Sequence, residues 1–213
     1  MKELKSFNFR ETICDKFLLS LLESITNVDI SYIFYNYHDT GKDITHVERT
    51  FAYELYHQWS ISLCKYRMTN YRIDAEVSKQ FVDQIVGNES NCRDYETYYP
   101  DMVLHKSQGN DSGNLIACEF KRLSETSLEK VANDLYKLYL YVNENTKIKR
   151  SRHWTPYRYG FFLFIDKKNH SLSETLEKVP INFDIEKIPH KIICAIYNGS
   201  NLVYDYLENL IKR

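Results

Sequence analysis

The stretch "YYPDMVLHKSQGNDSGNLIACEFKR", residues 98–122, combines charged groups with two apolar runs. Asp101 opens the first run, and Glu119 and Lys121 lie at the end of the second. Ionised side chains in apolar surroundings cost free energy unless they pair with other charges or coordinate an ion. These two carboxylates and one ammonium group are therefore candidates for a binding or catalytic site.

A hairpin would bring the three charges together. The intervening "SQGNDSG" is rich in turn-forming residues, which predicts antiparallel strands over residues 101–106 and 114–121. With the turn centred on the middle of this loop, Asp101 faces Glu119 across the pair, at a Cβ separation of roughly 4.5–5.5 Å. Because side chains alternate along a strand, Lys121 shares the face of Glu119. The pattern predicts that all three charges lie at one end of the sheet.

Paired carboxylates with a neighbouring lysine suit metal-dependent phosphodiester hydrolysis. Two carboxylates this close repel each other, so one takes up a proton unless a cation lies between them. Mg²⁺ is bound in this way, by one or two carboxylates together with water and phosphate oxygens. The ion polarises the phosphodiester and generates hydroxide, and a lysine orients the attacking water or offsets charge on the phosphate.

The alternative is that these residues have no chemical role. Each of the three is more often a salt-bridged surface residue than a catalytic one, and such surface pairs contribute little. A D…ExK spacing also arises often by chance. The apolar context, the hairpin register and two further acidic segments upstream favour a functional site over this alternative.

The elements that must position these charges follow from the periodicity of apolar residues. Helical spacing predicts helices over residues 9–23, 45–60, 126–144 and 172–178. Apolar or alternating runs predict strands over residues 72–78, 101–106, 114–121, 158–165 and 191–197. Together they predict an α/β protein with a central mixed β-sheet flanked by helices. The most continuously apolar strands, those within 114–121 and 158–165, are expected at its centre.

Length and composition limit the class of protein. The 213 residues contain no repeat or low-complexity linker, which predicts one domain over residues 1–213. A net charge of −1 argues against a protein that coats nucleic acid by charge alone, but it allows an enzyme with a local basic patch. No apolar run reaches the roughly 18–20 residues that span a bilayer, and acidic residues bracket the N-terminal apolar patch, so neither membrane insertion nor a signal peptide is expected. Five scattered cysteines without a CxxC pair favour a reducing, cytoplasmic compartment.

The pair Pro100-Asp101 and the triplet "EFK" ending at Lys121 resemble the signature of the PD-(D/E)XK nuclease superfamily, the fold of many restriction endonucleases. "VERTFAYELYHQW" resembles the first core helix of that superfamily, and "RIDAEV" resembles the strand that follows it. "PDMVLHK" and "NLIACEFKR" are similar to segments of small bacterial nuclease-like members, and "NDLYKL" and "YRYGFFLFI" fit the next helix and strand. The resemblance covers about residues 45–165 and implies a restriction-endonuclease-like core.

The resemblance also implies a role for each matching residue. Asp101 and Glu119 would bind Mg²⁺ or Mn²⁺, and Lys121 would assist the nucleophile. Glu48, on the first core helix, would complete the metal site, and Glu76 is a possible extra member. These assignments make the site a metal-dependent hydrolytic centre.

Other residues compete for places in this site. Glu54 lies six residues after Glu48 and therefore well around the helix, so both are not expected to face the metal. Asp74 and Glu76 are two apart on one strand and share a face, and Glu76 is the stronger candidate of the two. His105 lies roughly 13 Å along its strand from the motif aspartate, which favours a substrate-contacting or structural role over metal ligation.

The activity implied by the resemblance is hydrolysis of DNA, with RNA as the weaker candidate substrate. Exonucleases of the recombination-repair branch carry QxxxY on the helix after the ExK strand, whereas "NDLYKLYLY" has no glutamine, which favours an endonuclease. Related enzymes often cut both strands as homodimers, so a homodimer is a candidate assembly. The alternative function is a catalytically silent or partner-dependent member of the fold that binds nucleic acid or a protein.

Basic residues near the motif are candidate nucleic-acid contacts. The run "KIKRSRH" supplies three of them, Lys149, Arg150 and Arg152. Phosphate contact and a merely solvated loop are equally good interpretations of this run. Arg122, which follows the motif, is a fourth candidate. Lys137 either reaches DNA or pairs with Asp134 one turn earlier on the same helix.

Overall fold

The computed structural model describes residues 15–32, 47–75, 100–106, 113–144 and 155–211, with backbone alone at residues 30 and 47–49. Within these ranges the chain forms an α/β structure in which helices flank one mixed, open sheet. The fold class predicted from the sequence is confirmed at this level.

The described strands lie side by side in chain order in a six-stranded sheet. They are β1 (Tyr71–Ala75), β2 (Met102–Lys106), β3 (Asn114–Arg122), β4 (Tyr159–Ile165), β5 (Ile192–Tyr197) and β6 (Leu202–Tyr206). The pairs β1–β2 and β2–β3 are antiparallel, and the pairs β3–β4 and β4–β5 are parallel. The last pair, β5–β6, is antiparallel. As predicted, β3 and β4 lie at the centre.

Five α-helices are described alongside this sheet. They are α1 (Lys16–Asn27), α2 (Val47–Lys65), α3 (Leu128–Val142), α4 (Leu172–Leu176) and α5 (Leu207–Ile211). Side-chain caps fix the starts of three of them: Asp15 accepts from the Phe17 N–H at 2.9 Å, Ser127 from the Lys130 N–H at 3.3 Å, and Ser171 from the Glu174 N–H at 3.4 Å. In the described part of the chain, no helix is both long and apolar enough to cross a bilayer.

The helices α1 and α2 cover one face of the sheet. Phe51, Leu55 and Trp59 recur at one-turn intervals on α2, and all three are fully buried. They share a hydrophobic core with Cys118 and Phe120, which point to this face from β3. The rings of Phe51 and Phe120 meet edge to face with centroids 6.1 Å apart. Hydrophobic packing therefore anchors β3 from this side.

The helix α3 covers the opposite face. Its buried stripe consists of Val131, Leu135, Leu138 and Val142. A side chain at Gly160 on β4 would place a Cβ 3.2 Å from the Leu138 Cβ, so glycine allows α3 to approach the sheet closely. Leu128, at the helical spacing that would continue this stripe, is 38% exposed, because it lies in the first turn of α3 and contributes little to the packed interface.

The predicted element bounds agree with the structure to within a few residues, with three exceptions. The helix predicted over residues 9–23 is α1, which begins at Lys16, after the Asp15 cap, and continues to Asn27 because Ile25 in its last turn is still buried. The helix α2 continues to Lys65 rather than ending near residue 60, because Leu63 in its last turns is still buried. The sequence interpretation missed β6 and α5. Its overlooked signal was Asn198-Gly199, a hairpin-turn dipeptide, in which Gly199 adopts a φ of 87° between β5 and β6.

Candidate active site

The β2–β3 hairpin has the register that the sequence predicted. Met102 pairs with Cys118 and Leu104 with Ile116, and an irregularity near the turn affects only the far end of the pair. Asp101 immediately precedes β2, and its Oδ2 accepts a hydrogen bond of 2.7 Å from the Phe120 N–H. This bond fixes the aspartate beside the carboxyl-terminal end of β3.

Glu119 is the most buried charged residue of the hairpin. It is only 1% exposed, and no described group donates a hydrogen bond to its Oε1. Burial, and then the neighbouring charge of Asp101, raise the pKa of Glu119 well above its usual value. Burial also raises the pKa of Asp101, although Lys121 and the Phe120 N–H act in the opposite direction. Each carboxylate therefore lacks enough positive partners to offset its desolvation.

Two lysines share one aspartate beside these carboxylates. Lys121 Nζ lies 3.1 Å from Asp134 Oδ2, and Lys137 Nζ lies 2.5 Å from Asp134 Oδ1. Lys121 Nζ also donates to the Phe120 carbonyl oxygen at 3.0 Å. Burial by itself would lower the pKa of Lys137, but the charge of Glu119 and the bond to Asp134 outweigh that effect and raise it. The ion pair of Lys121 with Asp134 thus links β3 to α3.

The sequence interpretation did not include Asp134 in the site. It proposed that Asp134 pairs with Lys137, and this pair is present. The additional contact with Lys121 makes Asp134 part of the charged cluster. A signal was available, because Asp134 lies three residues after Val131 and four before Leu138, on the buried stripe of α3.

The predicted nucleic-acid contacts fall into two groups. Lys149, Arg150 and Arg152 lie outside the described residues. Arg122 forms an ion pair with Glu125 on the exposed side of the turn after β3. Lys137 lies in the charged cluster, with 22% of its side chain exposed. Of the basic candidates, Lys137 is the one that the structure brings beside Glu119.

The remaining acidic candidates lie apart from the cluster or cannot be described. The side chain of Glu48, which belongs to the first turn of α2, and all of Glu76 lie outside the described residues. The rival Glu54 accepts a hydrogen bond of 2.6 Å from Gln58 on its own helix. Asp74 instead pairs with His105, with 2.6 Å between its Oδ2 and the ring Nε2. Asp74 and His105 therefore form a separate hydrogen-bonded pair on β1 and β2.

The residues of the cluster fit a hard divalent cation. Mg²⁺ binds one or two carboxylates and completes its shell with water and substrate oxygens. Asp101 and Glu119 supply such a carboxylate pair, and the buried Glu119 Oε1 lacks any described donor that would compete with an ion. Among the described residues there is no group of three or more acidic, histidine or cysteine side chains arranged to hold a metal. The side chains of Glu48 and Glu76, proposed as further ligands, lie outside the described residues.

Comparisons with known proteins add no relative to this picture. Family models, curated proteins and solved structures were all searched, and none of them matches the chain. The class that the structure defines is an α/β protein with a mixed six-stranded sheet and a buried charged cluster at the end of its central hairpin.

Proposed function

We propose that this chain is a metal-dependent nuclease of the PD-(D/E)XK superfamily, an endonuclease that hydrolyses DNA phosphodiester bonds. One observation carries the proposal: the buried Glu119, with an oxygen that has no described partner, lies beside Asp101 in the hairpin that bears Lys121. The order of elements supports a restriction-endonuclease-like core. The helix α2, three antiparallel strands, α3 and a parallel strand follow the order of the resemblance.

Asp101 and Glu119 would hold Mg²⁺ or Mn²⁺ through their carboxylate oxygens, with Glu48 and Glu76 as further candidates. Bound there, the ion would polarise a phosphodiester oxygen and lower the pKa of a coordinated water. When all groups are ionised, the carboxylates of Asp101, Glu119 and Asp134 outnumber the two ammonium groups of the cluster. The protein groups alone therefore repel a phosphodiester, and a divalent cation reverses the sign of the site.

Lys121 is a positioned hydrogen-bond donor. Asp134 and the Phe120 carbonyl oxygen hold its Nζ, so little side-chain freedom remains to be lost when a substrate is bound. From this position Nζ donates to the attacking water or to a non-bridging phosphate oxygen, where negative charge develops. Lys137, on the other oxygen of Asp134, supplies a second cation at the same site.

The competing proposal is a member of the fold that binds nucleic acid or a protein partner without cutting. The observation that favours it is the pairing of Lys121 and Lys137 with Asp134, because an ion cluster of this kind also serves a purely structural purpose. The near-neutral net charge is equally compatible with a partner that supplies the nucleic-acid contacts. The two proposals differ in whether the chain hydrolyses a phosphodiester.

Cleavage assays separate these proposals. Supercoiled plasmid, linear duplex, single-stranded DNA and RNA are incubated in Mg²⁺, Mn²⁺ or EDTA with the wild type, Lys121→Ala and Glu119→Gln. We expect metal-dependent cutting of DNA, including nicking or linearisation of the plasmid, that is about 10²–10⁴-fold slower in both variants. Lys130→Ala, which removes an exposed lysine from the first turn of α3, is the matched control and should cut at the wild-type rate.

A folded wild type that leaves every substrate intact in both metals would reject the nuclease and favour the binding-only proposal. Cutting that continues at full rate in Lys121→Ala would instead reject the role given to this lysine.

Gel filtration of the wild type, alone and with DNA, tests the proposed homodimer. Cys64, Cys118 and Cys194 are free thiols among the described residues, which supports the proposed cytoplasmic location.

A further inference from the structure

A second polar site lies at the carboxyl ends of β4 and β5. It is a cleft of about 430 Å³, within the roughly 300–1,000 Å³ range of small-molecule sites. Its lining residues are Lys168, Asn169, His170, Ile196, Asn198, Ser200, Asn201 and Val203. In open α/β sheets, ligands bind at the carboxyl ends of parallel strands. None of the cleft residues belongs to the charged cluster on β3 and α3.

The sheet register relates this cleft to the proposed active site. Lys121 pairs with Phe164, Phe164 with Ile196, and Ile196 with Val203, so all four lie in one row across the sheet. Side chains in such a row point to the same face. Neighbouring strands lie about 4.8 Å apart, which places Ile196 about 10 Å from Lys121 along the row. The cleft and the charged cluster are thus neighbours on the face that α3 packs against.

The chemistry of the cleft matches a nucleotide. His170 Nδ1 lies 2.6 Å from the carboxylate of Asp166, a residue only 3% exposed at the end of β4. This contact fixes the ring, and the other nitrogen, Nε2, has no partner among the described residues. Lys168 adds an ammonium group to the lining, and the buried Ile196 and the exposed Val203 add apolar surface. A phosphate suits the basic groups, and a sugar or base suits the apolar surface.

A turn built around Asn198 shapes the other wall of the cleft. Its Oδ1 accepts from the backbone N–H groups of Ser200 at 3.0 Å and Asn201 at 2.7 Å, and its Nδ2 donates to Asn169. These bonds connect the β5–β6 turn to the loop after β4. The cleft therefore has a hydrogen-bonded frame before any ligand arrives, which reduces the ordering cost of binding.

We propose that this cleft binds one nucleotide of the strand whose phosphodiester lies at Lys121, an inference that rests on the proposed function. The phosphate of that nucleotide accepts from Lys168 Nζ and from the Nε2–H of His170 in its imidazolium form, and its sugar or base lies against Ile196 and Val203. The separation of about 10 Å places that nucleotide close in the strand to the scissile phosphodiester. A substrate strand would therefore have to extend beyond the cleaved bond on the side that faces the cleft.

Binding measured with Ca²⁺ in place of Mg²⁺ offsets the negative charge of the carboxylate pair and tests this inference without requiring cleavage. Fluorescence anisotropy with labelled single-stranded and duplex oligonucleotides compares the wild type with Lys168→Ala and His170→Ala. We expect each variant to bind about tenfold or more weakly, as loss of a contact to a charged phosphate implies. Lys178→Ala, an exposed lysine after α4 that does not line the cleft, is the matched control and should bind normally.

A scan of single methylphosphonates, which remove the charge of one phosphate at a time, locates the contact. One neutral position should weaken binding by the wild type, and the same position should have a smaller effect in Lys168→Ala, in which His170 is the remaining contact to that phosphate. Unchanged affinity in both cleft variants, confirmed folded by circular dichroism, would overturn the inference. So would tighter binding of free dTMP than of the oligonucleotide, because the cleft would then serve a free nucleotide.

The failure of this inference is distinguishable from failure of the proposed function. Cleft-dependent binding by a chain that never cuts DNA rejects the nuclease and supports the cleft. Normal metal-dependent cutting with full affinity in both cleft variants rejects the cleft and leaves the nuclease proposal intact.

Discussion

The two faces of β3 perform different tasks in the same nine residues. On the face toward α1 and α2, Cys118 and Phe120 are fully buried in an apolar core. On the face toward α3, Glu119 and Lys121 enter a cluster of charges. Adjacent residues of one strand therefore experience opposite environments, because the side chains alternate. The apolar face holds the strand in place, and the charged face is available for chemistry.

The difference between the faces extends to their polar groups. Trp59 Nε1 donates to Ser20 Oγ at 2.9 Å on the α1–α2 side, so this buried donor is satisfied by a neutral partner. On the α3 side, Glu119 Oε1 is buried without a described donor. A buried carboxylate in this state destabilises the folded protein unless a ligand compensates it. The face toward α1 and α2 thus stabilises the fold, whereas the face toward α3 carries a buried charge that does not. The following substitutions test this difference between the two faces.

The largest expected effect is on the apolar face. Phe120→Ala removes a fully buried ring that packs against Phe51, and we expect a loss of about 3–5 kcal/mol in the free energy of unfolding. Urea unfolding measures the loss, and Phe120→Leu should recover most of it. A loss below about 1 kcal/mol in Phe120→Ala would show that this face does not anchor β3.

Removal of Asp134 should have the next largest effect. Asp134→Ala leaves the ammonium groups of Lys121 and Lys137 without their shared carboxylate, and we expect a loss of about 2–3 kcal/mol, reduced by the partial exposure of both lysines. Chemical unfolding of Asp134→Ala is compared with that of Asn133→Ala, an exposed neighbour on α3. Equal stabilities of the two variants would mean that the charged cluster contributes nothing to folding.

Glu119→Gln should have a smaller effect of opposite sign. Because burial raises the folded-state pKa of Glu119, its contribution to stability is fully present below the unfolded pKa near 4.5 and is lost as pH rises through the folded-state pKa. In EDTA at pH 7 the variant should therefore be more stable than the wild type, by on the order of 1–3 kcal/mol.

Thermal unfolding of both proteins between pH 4 and pH 8 checks this prediction. The difference should shrink towards pH 4, where Glu119 is protonated in both the folded and the unfolded wild type. Glu129→Gln, an exposed glutamate in the first turn of α3, is the control for loss of a carboxylate. A Glu119→Gln variant less stable than the wild type at pH 7 in EDTA would contradict the burial argument.

The sequence predicted the hairpin well because its signals are local. The turn-rich "SQGNDSG" and the alternation on either side of it predict the pairing of Met102 with Cys118, which the structure confirms. The helix predicted over residues 45–60 is likewise present, with Phe51, Leu55 and Trp59 buried along one side of it. Residues that are close in sequence, or joined by a short turn, carry enough information to define these contacts.

The parts that were missed depend on contacts between distant segments. Asp134 joins the cluster only because α3 crosses β3 at Lys121, with Gly160 allowing the close approach of the helix. The cleft at His170 likewise requires the loop after β4 to meet the β5–β6 turn near Asn198. Helix placement on a sheet depends on packing over the whole interface, which periodicity within one segment does not specify.

The most direct test of the account is binding of Mn²⁺ in the absence of substrate, measured by isothermal titration calorimetry on the wild type and on Glu119→Gln. The account predicts that the wild type takes up about one Mn²⁺ per chain at the carboxylate pair. Glu119→Gln, which should be at least as stable as the wild type, should lose that binding. A wild type that takes up no Mn²⁺, or a variant that binds it equally well, would contradict the claim that Asp101 and Glu119 form a metal site.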